Sequence, residues 1–500
     1  MITALDALDL RYSEAGARDS CLSFVRPPLP EFATIGVARV VRCATFFAAR
    51  RILVEPSNPF KEHKPPLSTD AALAEASRCL YCYDAPCTRA CPTHIDVPAF
   101  IKKIGSGNLR GSARTILSSN VLGASCARVC PTEVLCEGAC VMHDVQAKPI
   151  KIGQLQRYAT DWAMAHGMRP FELGPRRAGR VAIIGAGPAG LACAAELLRL
   201  GYEPQIFDAA ARPGGLNTSG VAEYKMTAEL ALREVGWLVD AGVKIKSGVR
   251  IGVEVQLAEL ERQFDAVFVG VGLGTVGKLG IPGEELDGVT EAIGFIEGLK
   301  LDRAATRVGR RVVVIGGGNT SIDCVTQARA LGAEEVTLVY RRSAEEMPAY
   351  AHEVQLAREY GCRFVFLAAP VRVVGNGRVE GIELQTMRLG APDASGRRAP
   401  EPVPGEPTML ACDMVIAATG QEKHLSLLEQ LPNVRLDRGR VVVDERTMQT
   451  SNPRYFAGGD CVSGGQEVVN AVAEGKRAAA AIAQFIERSL GARTVEVARG

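Results

Sequence analysis

Apolar and polar positions change rhythm along the chain. After Ser68 and Thr69, either of which can cap a helix, residues 68–78 follow helical spacing. Residues 99–105 and 109–118 read as two more short helices divided by Gly107, and 152–165 as a longer one. From residue 181 the texture switches to short continuous apolar runs alternating with helical patterns. Residues 181–184 predict a buried strand, 191–200 a helix and 204–207 a second strand. The same sequence of elements restarts at 312–315, 321–331 and 336–340. A repeated βαβ unit implies two doubly wound α/β domains. Beyond 411 short strands and turns return, closed by a helix over 468–490. The expected architecture is an α-helical domain over 61–175, a Rossmann-like domain over 176–290 and 411–500, and a second Rossmann-like domain inserted in it over 291–410. Residues 1–60 read as a weakly ordered extension: 32–54 carry arginines without an acid, and Pro56, Pro59, Pro65 and Pro66 break regular elements.

Composition narrows the class. With 500 residues, 47% hydrophobic and 23% charged, the chain is neither disordered nor short of core. A net charge of +2 leaves no basic excess for nucleic acid. No apolar run reaches the length of a membrane span, and Met1 to Leu10 hold two Asp and no Lys or Arg, unlike a secretory leader. A cytoplasmic protein without membrane or nucleic-acid partners is expected. Of 15 cysteines, eight fall between Cys79 and Cys140. Such clustering in a chain of this type points to metal or cluster binding rather than to disulfides.

Two glycine loops carry further chemistry. Gly185, Ala186, Gly187, Pro188, Ala189 and Gly190 follow a strand and open a helix. The first Gly allows the tight turn, the second lets backbone approach a pyrophosphate, and the third lets helix and strand pack closely. Asp208, at the end of the next strand, can accept hydrogen bonds from ribose hydroxyls. Gly316, Gly317, Gly318, Asn319, Thr320 and Ser321 repeat the loop, with small Ser321 in the third glycine position. Here the second strand ends in Arg341 and Arg342 rather than an acid. Guanidinium groups suit a 2′-phosphate, which favours NADPH over NADH. Cys193 and Cys324 each stand alone on an apolar helix, so the paired redox cysteines of a disulfide reductase are missing at these loops.

The clustered cysteines read Cys79, Cys82, Cys87, Cys91-Pro92 and then Cys126, Cys130-Pro131, Cys136, Cys140. A [4Fe–4S] cubane takes four thiolates, so eight could serve two, and the Cys-Pro steps are similar to ferredoxin ligand runs. Structural zinc prefers two separated close pairs and fits less well. A flavin takes a hydride and releases single electrons, which clusters carry; a flavin domain beside a cluster domain makes a two-electron to one-electron converter.

The residues resemble two families at once. Arg212 to Leu216, with Tyr455 to Asp460, Gly464 and Gly465, resemble flavoprotein reductases with two dinucleotide-binding domains. That resemblance places FAD at the first loop with Asp208, Gly215, Leu216, Lys225, Gly459 and Asp460, Asp460 facing ribityl and pyrophosphate. It places NAD(P) at the second loop, with Ala417 to Gly420, and Thr419 and Gly420 in particular, on the return segment. The run from Cys79 to Cys87, Ala90 to Asp96, Leu122 to Pro131, Leu135 to Cys140 and Ile152 to Gln156 resembles dihydropyrimidine dehydrogenase, over about residues 60–490. Within that family the likeness is to the bacterial NAD(P)H-accepting subunit, which corresponds to the front half of the single-chain animal enzyme. The resemblance implies one cluster on Cys79, Cys82, Cys87 and Cys140, and a second on Cys91, Cys130, Cys136 and Gln156, with Cys126 left as the less favoured alternative to Gln156. It further implies that electrons leave for a partner subunit holding FMN and iron–sulfur clusters, in a heterotetramer, where uracil or thymine is reduced to the 5,6-dihydro form. The chain alone is not expected to reduce uracil, and no side chain need act as a nucleophile. The small subunit of glutamate synthase shares this architecture and is the alternative. A non-catalytic zinc or scaffold protein is a remote third.

Overall fold

The computed structural model describes residues 59–392 and 398–497, with side chains up to 489. The extension before residue 59 lies outside the described residues. Phe60, counted above with that extension, is already buried against Ala222 and Tyr224.

The cysteine-bearing part is helical as expected: Thr69–Ser77, Val97–Gly105, Leu109–Ser119, Gly123–Val129 and Ile152–Ala165. Ser68 is the N-cap of the first, its hydroxyl accepting from the Ala71 N–H, and Asp96 caps the second through Ala99. The helix over Gly123–Val129 was not foreseen. Its residues are almost all buried, so no amphipathic period marks it. Ile101, Ile104, Ile116, Ile152 and Leu155 form the core, with several cysteines packed on its edge.

Two parallel five-stranded sheets follow, built alike. In the first, Tyr455–Ala457, Ala266–Val269, Arg180–Ile184, Glu203–Asp208 and Lys244–Ser247 lie side by side in that order. In the second the order is Val289–Glu291, Met414–Ala417, Arg311–Ile315, Glu335–Tyr340 and Arg363–Phe366. The central strands are apolar throughout because both faces are covered. Val181 and Ile183 pack under helices Pro188–Arg199 and Val468–Val497, whereas Ala182 and Ile184 face Leu257, Leu260 and Phe264. Gly475 lets the last helix approach so closely that a Cβ there would stand 2.2 Å from the Ala189 carbonyl oxygen.

Two expectations need correction. The boundary set at 411 gave Met414–Ala417 to the first domain; it pairs with Arg311–Ile315 in the second sheet. The closing helix runs to Val497 rather than stopping at residue 490. An antiparallel sheet of Ala368–Gly375, Val379–Pro392, Arg398–Pro402 and Thr408–Ala411 also stands inside the second domain. Its strands Arg398–Pro402 and Thr408–Ala411 are mostly exposed on both faces, so no apolar alternation reveals them. Among the described residues no helix is long and apolar enough to cross a membrane.

Candidate functional site

The first glycine loop links strand Arg180–Ile184 to helix Pro188–Arg199. Gly185 has φ +105°, and a Cβ there would meet the Gly270 carbonyl oxygen at 2.4 Å. Gly190 lies 2.0 Å, at its Cβ position, from the Gly185 carbonyl oxygen, so helix and loop touch. At Gly187 the nearest atom to a Cβ is the Gly215 Cα, 4.0 Å away. The missing side chain leaves open space at a helix N-terminus, the cradle a pyrophosphate needs. The Asp208 carboxylate accepts from the buried Ala186 N–H and, at 2.7 Å, from the Ala210 N–H, and burial raises its pKa. It ties the loop to the second strand and keeps lone pairs for ribose hydroxyls. Gly185, Gly187, Pro188, Ala189, Asp208, Gly215, Leu216, Lys225, Gly459 and Asp460 all line one groove of about 1400 Å³. That exceeds the roughly 300–1000 Å³ of ordinary ligand pockets and suits a dinucleotide. Asp460 Oδ1 accepts from the Gln466 N–H at 3.0 Å. Buried Glu474, not anticipated, accepts from the Gly459 N–H and so shapes the turn that presents Asp460.

The second domain supplies the opposite wall through Asn319, Asp323, Tyr350 and Glu353. Gly316 sits at φ +152°, its Cβ position 2.3 Å from the Ala418 carbonyl oxygen, and the Ser321 hydroxyl donates to that same oxygen at 3.4 Å. This joins the loop to the segment bearing Thr419 and Gly420. Gly318, like Gly187, faces empty space. The Asn319 side chain accepts from the Tyr350 N–H at 2.9 Å, and Thr320 follows it in the first helical turn. Arg341 and Arg342 are not equivalent. Arg341 is exposed, whereas Arg342 is buried with an Nε that lacks a hydrogen-bond partner among the described residues.

Lys225 lies where the two domains meet. Its ammonium donates to Asp323 at 2.8 Å and to Glu353 at 2.7 Å, and Tyr224 donates to Asp323 at 2.7 Å. Burial alone would push the ammonium pKa down; Asp323 and Glu353 outweigh it and hold it above its ordinary value. Asp323 and Glu353 were missed because each stands alone in sequence, with no spacing to connect them to residue 225.

The eight clustered cysteines are free thiols in two groups. Cys79, Cys82, Cys87 and Cys140 line one cavity, otherwise walled by Val97, Pro98, Ile101, Ile150 and Ile152. Burial pushes the Cys87 thiol up to about 11, with Cys140 and Cys79 adding to it. Cys91 and Cys130 lie near Cys136. Among the described residues no three His, Cys, Asp or Glu side chains converge tightly enough for a single metal ion. Four thiols around an apolar cavity suit a larger, delocalised group such as a cubane.

The second group also contains Cys126. Its thiol sits against Cys130 and, with burial, holds the Cys130 thiol well above its ordinary value. Gln156 comes from the helix packed across Gly123–Val129. Its Nε2 donates to the Gly123 carbonyl at 2.7 Å, and Oε1 has no hydrogen-bond partner among the described residues. Buried Glu234, from helix Ala228–Asp240 of the first Rossmann domain, accepts from Ala124 N–H at 2.9 Å and from Ser125. Sequence gave one signal for it, an acid on an apolar helical face. Val129 and Pro131, on either side of Cys130, line the dinucleotide groove. Cys91 and Cys136 share a core with Cys79, Cys87 and Cys140. The order in space is therefore groove, second cysteine group, first cysteine group, with exposed Leu80 and Tyr83 beside the last.

A dinucleotide groove between two Rossmann domains, abutting a cysteine-rich helical domain, defines an NAD(P)H-dependent flavin and iron–sulfur oxidoreductase. Comparisons with known proteins agree. The family described as dihydropyrimidine dehydrogenase domain II, 4Fe-4S cluster, matches residues 56–168, and the pyridine nucleotide-disulphide oxidoreductase family matches 179–475. The chain is 39% identical over 445 residues to the glutamate synthase [NADPH] small chain of Escherichia coli (strain K12), covering 86% of this chain and 94% of that one. It is 36% identical over 430 residues to the NAD-dependent dihydropyrimidine dehydrogenase subunit PreT of the same organism, covering 86% and 98%. Among solved structures, Mycobacterium tuberculosis FprA in complex with NADPH matches with TM-score 0.54 at 20% identity, covering 63% of this chain and 86% of that one, which speaks to fold alone. The chain belongs to the glutamate synthase small-subunit superfamily, as an electron-transfer subunit with a [4Fe–4S] domain and FAD- and NAD(P)-binding domains.

Proposed function

We propose that this chain is the NAD(P)H-oxidising input subunit of a dihydropyrimidine dehydrogenase, passing electrons to a partner that holds FMN and reduces uracil or thymine. The observation that carries electron input is the spatial order of groove, second cysteine group and first cysteine group. Bound FAD would supply hydride acceptance and single-electron release, and two [4Fe–4S] clusters would supply one-electron carriage. The protein's own part is positioning. Gly187 and Gly318 give room to the pyrophosphates, and Asp208 and Asp460 face the FAD sugar and ribityl chain. Asn319, Thr320, Thr419 and Gly420 border the nicotinamide nucleotide, and Arg341 is placed to meet a 2′-phosphate. Cys79, Cys82, Cys87 and Cys140 hold the outer cluster; Cys91, Cys130, Cys136 and Gln156 hold the inner one. Gln156 rather than Cys126 is favoured because its amide is already oriented by Gly123 with an oxygen to spare. Iron content and cluster spectra of Gln156→Ala and Cys126→Ser test this: loss should follow only the first change.

The pyrimidine reading rests on the resemblance of residues 93–100 and 122–127 and on the likeness to the PreT subunit along nearly its full length. The equally extensive likeness to the glutamate synthase small chain supports the second reading, delivery to a glutamate synthase large chain. The deciding experiment is anaerobic: the purified chain with NADPH or NADH, with and without a candidate FMN partner, while uracil is followed. Uracil should disappear only with the partner. Uracil loss without it, or electron delivery only to a glutamate-forming partner, would overturn the proposal.

A further inference from the structure

Residues 62–65 form a strap outside the cysteine window that reaches the inner cysteine group. It is pinned to the helix that carries Gln156. Arg157 bonds Glu62 and the Lys64 carbonyl, and Gln154 Nε2 donates to the Pro65 carbonyl at 2.8 Å. At its other edge the His63 N–H donates to the Tyr224 carbonyl at 2.9 Å. Thus held, Lys64 turns its ammonium onto the inner group: it donates to the Cys130 carbonyl at 2.8 Å and to the Thr132 hydroxyl at 2.8 Å. The side chain is only 12% exposed.

We propose that Lys64 sets the reduction potential of the inner cluster, its positive charge making that cluster easier to reduce than it would be without the lysine. The inference rests on the reading of Cys91, Cys130, Cys136 and Gln156 as the inner ligands. An electron arriving on a buried, anionic cluster raises its negative charge. A neighbouring cation stabilises that state, strongly where water screens little. Lys64 is the cation hydrogen-bonded against the inner group, at the Cys130 carbonyl and the Thr132 hydroxyl, and Lys476 is a second cation in reach of Cys91. Acids oppose it: Glu467 near Cys130, Glu137 beside Cys136, and Glu133, 3.5 Å from the Lys64 ammonium. His63 adds no charge at neutral pH, because burial, then Lys64 and Lys225, lower its pKa to about 4. The field at the inner cluster is thus a balance in which one lysine and one near acid can be altered separately.

The test is a redox titration of the full FAD-loaded chain, followed by electron paramagnetic resonance, with iron counted in parallel. Lys64→Met should weaken the inner cluster's electron affinity about tenfold, a fall of about 59 mV for one electron, while the outer cluster stays put. Lys64→Arg should restore the wild-type value, and Glu133→Gln should raise it. Lys64→Met with full iron and an unchanged potential refutes the proposal. If Lys64→Met loses iron, Glu133→Gln decides: a rise supports the proposal and no change refutes it. Four irons in the wild-type chain, instead of eight, would remove the two-cluster reading itself and this inference with it.

Discussion

Glu234 offers the sharpest test of how the cluster domain is fastened to the flavin domain. Its carboxyl is 1% exposed and reaches across from helix Ala228–Asp240 to cap Gly123–Val129. Burial raises its pKa to about 7, although the hydrogen bonds from Ser125 and Ala124 pull the other way. Unfolded, the group titrates near 4.5. A carboxyl raised in the folded state adds stability below its unfolded pKa and loses it as pH rises through the folded value. The window is therefore about pH 4.5 to 7, and the full difference of about 2.5 units is worth roughly 3.4 kcal/mol at 1.36 kcal/mol per unit. Between pH 5 and pH 8 the change is about 2.5 kcal/mol, since part of the titration lies outside that interval. Glu234→Gln removes the titration while keeping one acceptor oxygen. Urea unfolding of the loaded protein at pH 5, 6.5 and 8 should show wild type gaining on Glu234→Gln by about 2.5 kcal/mol at pH 5 relative to pH 8. A difference between the two proteins that does not vary with pH would show that Glu234 is not titrating at this interface. Glu234→Ala should lie about 1–3 kcal/mol below Glu234→Gln at every pH, because it also leaves the buried donors of Ala124 and Ser125 unpaired.

Three further outcomes follow from contacts described above. Gly187→Val should leave the protein folded but free of flavin absorbance, since a Cβ there meets open space; Gly190→Val, with a Cβ 2.0 Å from the Gly185 carbonyl oxygen, should fail to fold, as circular dichroism would show. Lys225→Met strands Asp323 and Glu353 in a buried site and should lower unfolding free energy by about 3–5 kcal/mol in denaturant titration. Arg341→Ala should weaken NADPH binding about tenfold, measured by titration of flavin fluorescence, with little change for NADH; an equal loss for both would separate Arg341 from the 2′-phosphate.

The repeated Rossmann unit was legible because its signals are local. A strand, a glycine loop, a helix and a second strand lie within 30 or so residues, and each constrains the next. Expected strands at 181–184 and 312–315 and helices at 191–200 and 321–331 differ from the observed ones by a few residues at most. The thiols were legible for the same reason. Illegible were elements whose partners are distant: Met414–Ala417 looks like any buried strand, and only its pairing with Arg311–Ile315 assigns it to the second sheet. The antiparallel sheet over Ala368–Ala411 hid because its strands Arg398–Pro402 and Thr408–Ala411 have no buried face and so carry no apolar alternation.

The same distinction governs the site. Of the expected residues, Gly185, Gly187, Pro188, Ala189, Asp208, Gly215, Leu216, Lys225, Gly459, Asp460 and Asn319 line the groove and Cys79, Cys82, Cys87 and Cys140 the first cavity, but the groups that hold those surfaces in place come from elsewhere. The helix Gly123–Val129 is fixed at its start by Glu234 from one domain and by Gln156 from another helix. At its end, Cys130 is met by Lys64 from the strap. Glu234 and Lys64 belong to no motif and Gln156 is reached only through the family resemblance, not through spacing; each is polar and nearly buried, so each must be satisfied by the partner it meets. A buried polar group of this kind costs about 1–3 kcal/mol if its partner is displaced. Three such ties on one short helix resist any movement of Cys130 relative to the groove walls at Val129 and Pro131. Electron passage between a flavin and a cluster depends on that separation, so the residues that fix it are as functional as the thiols, although a motif shows only the thiols.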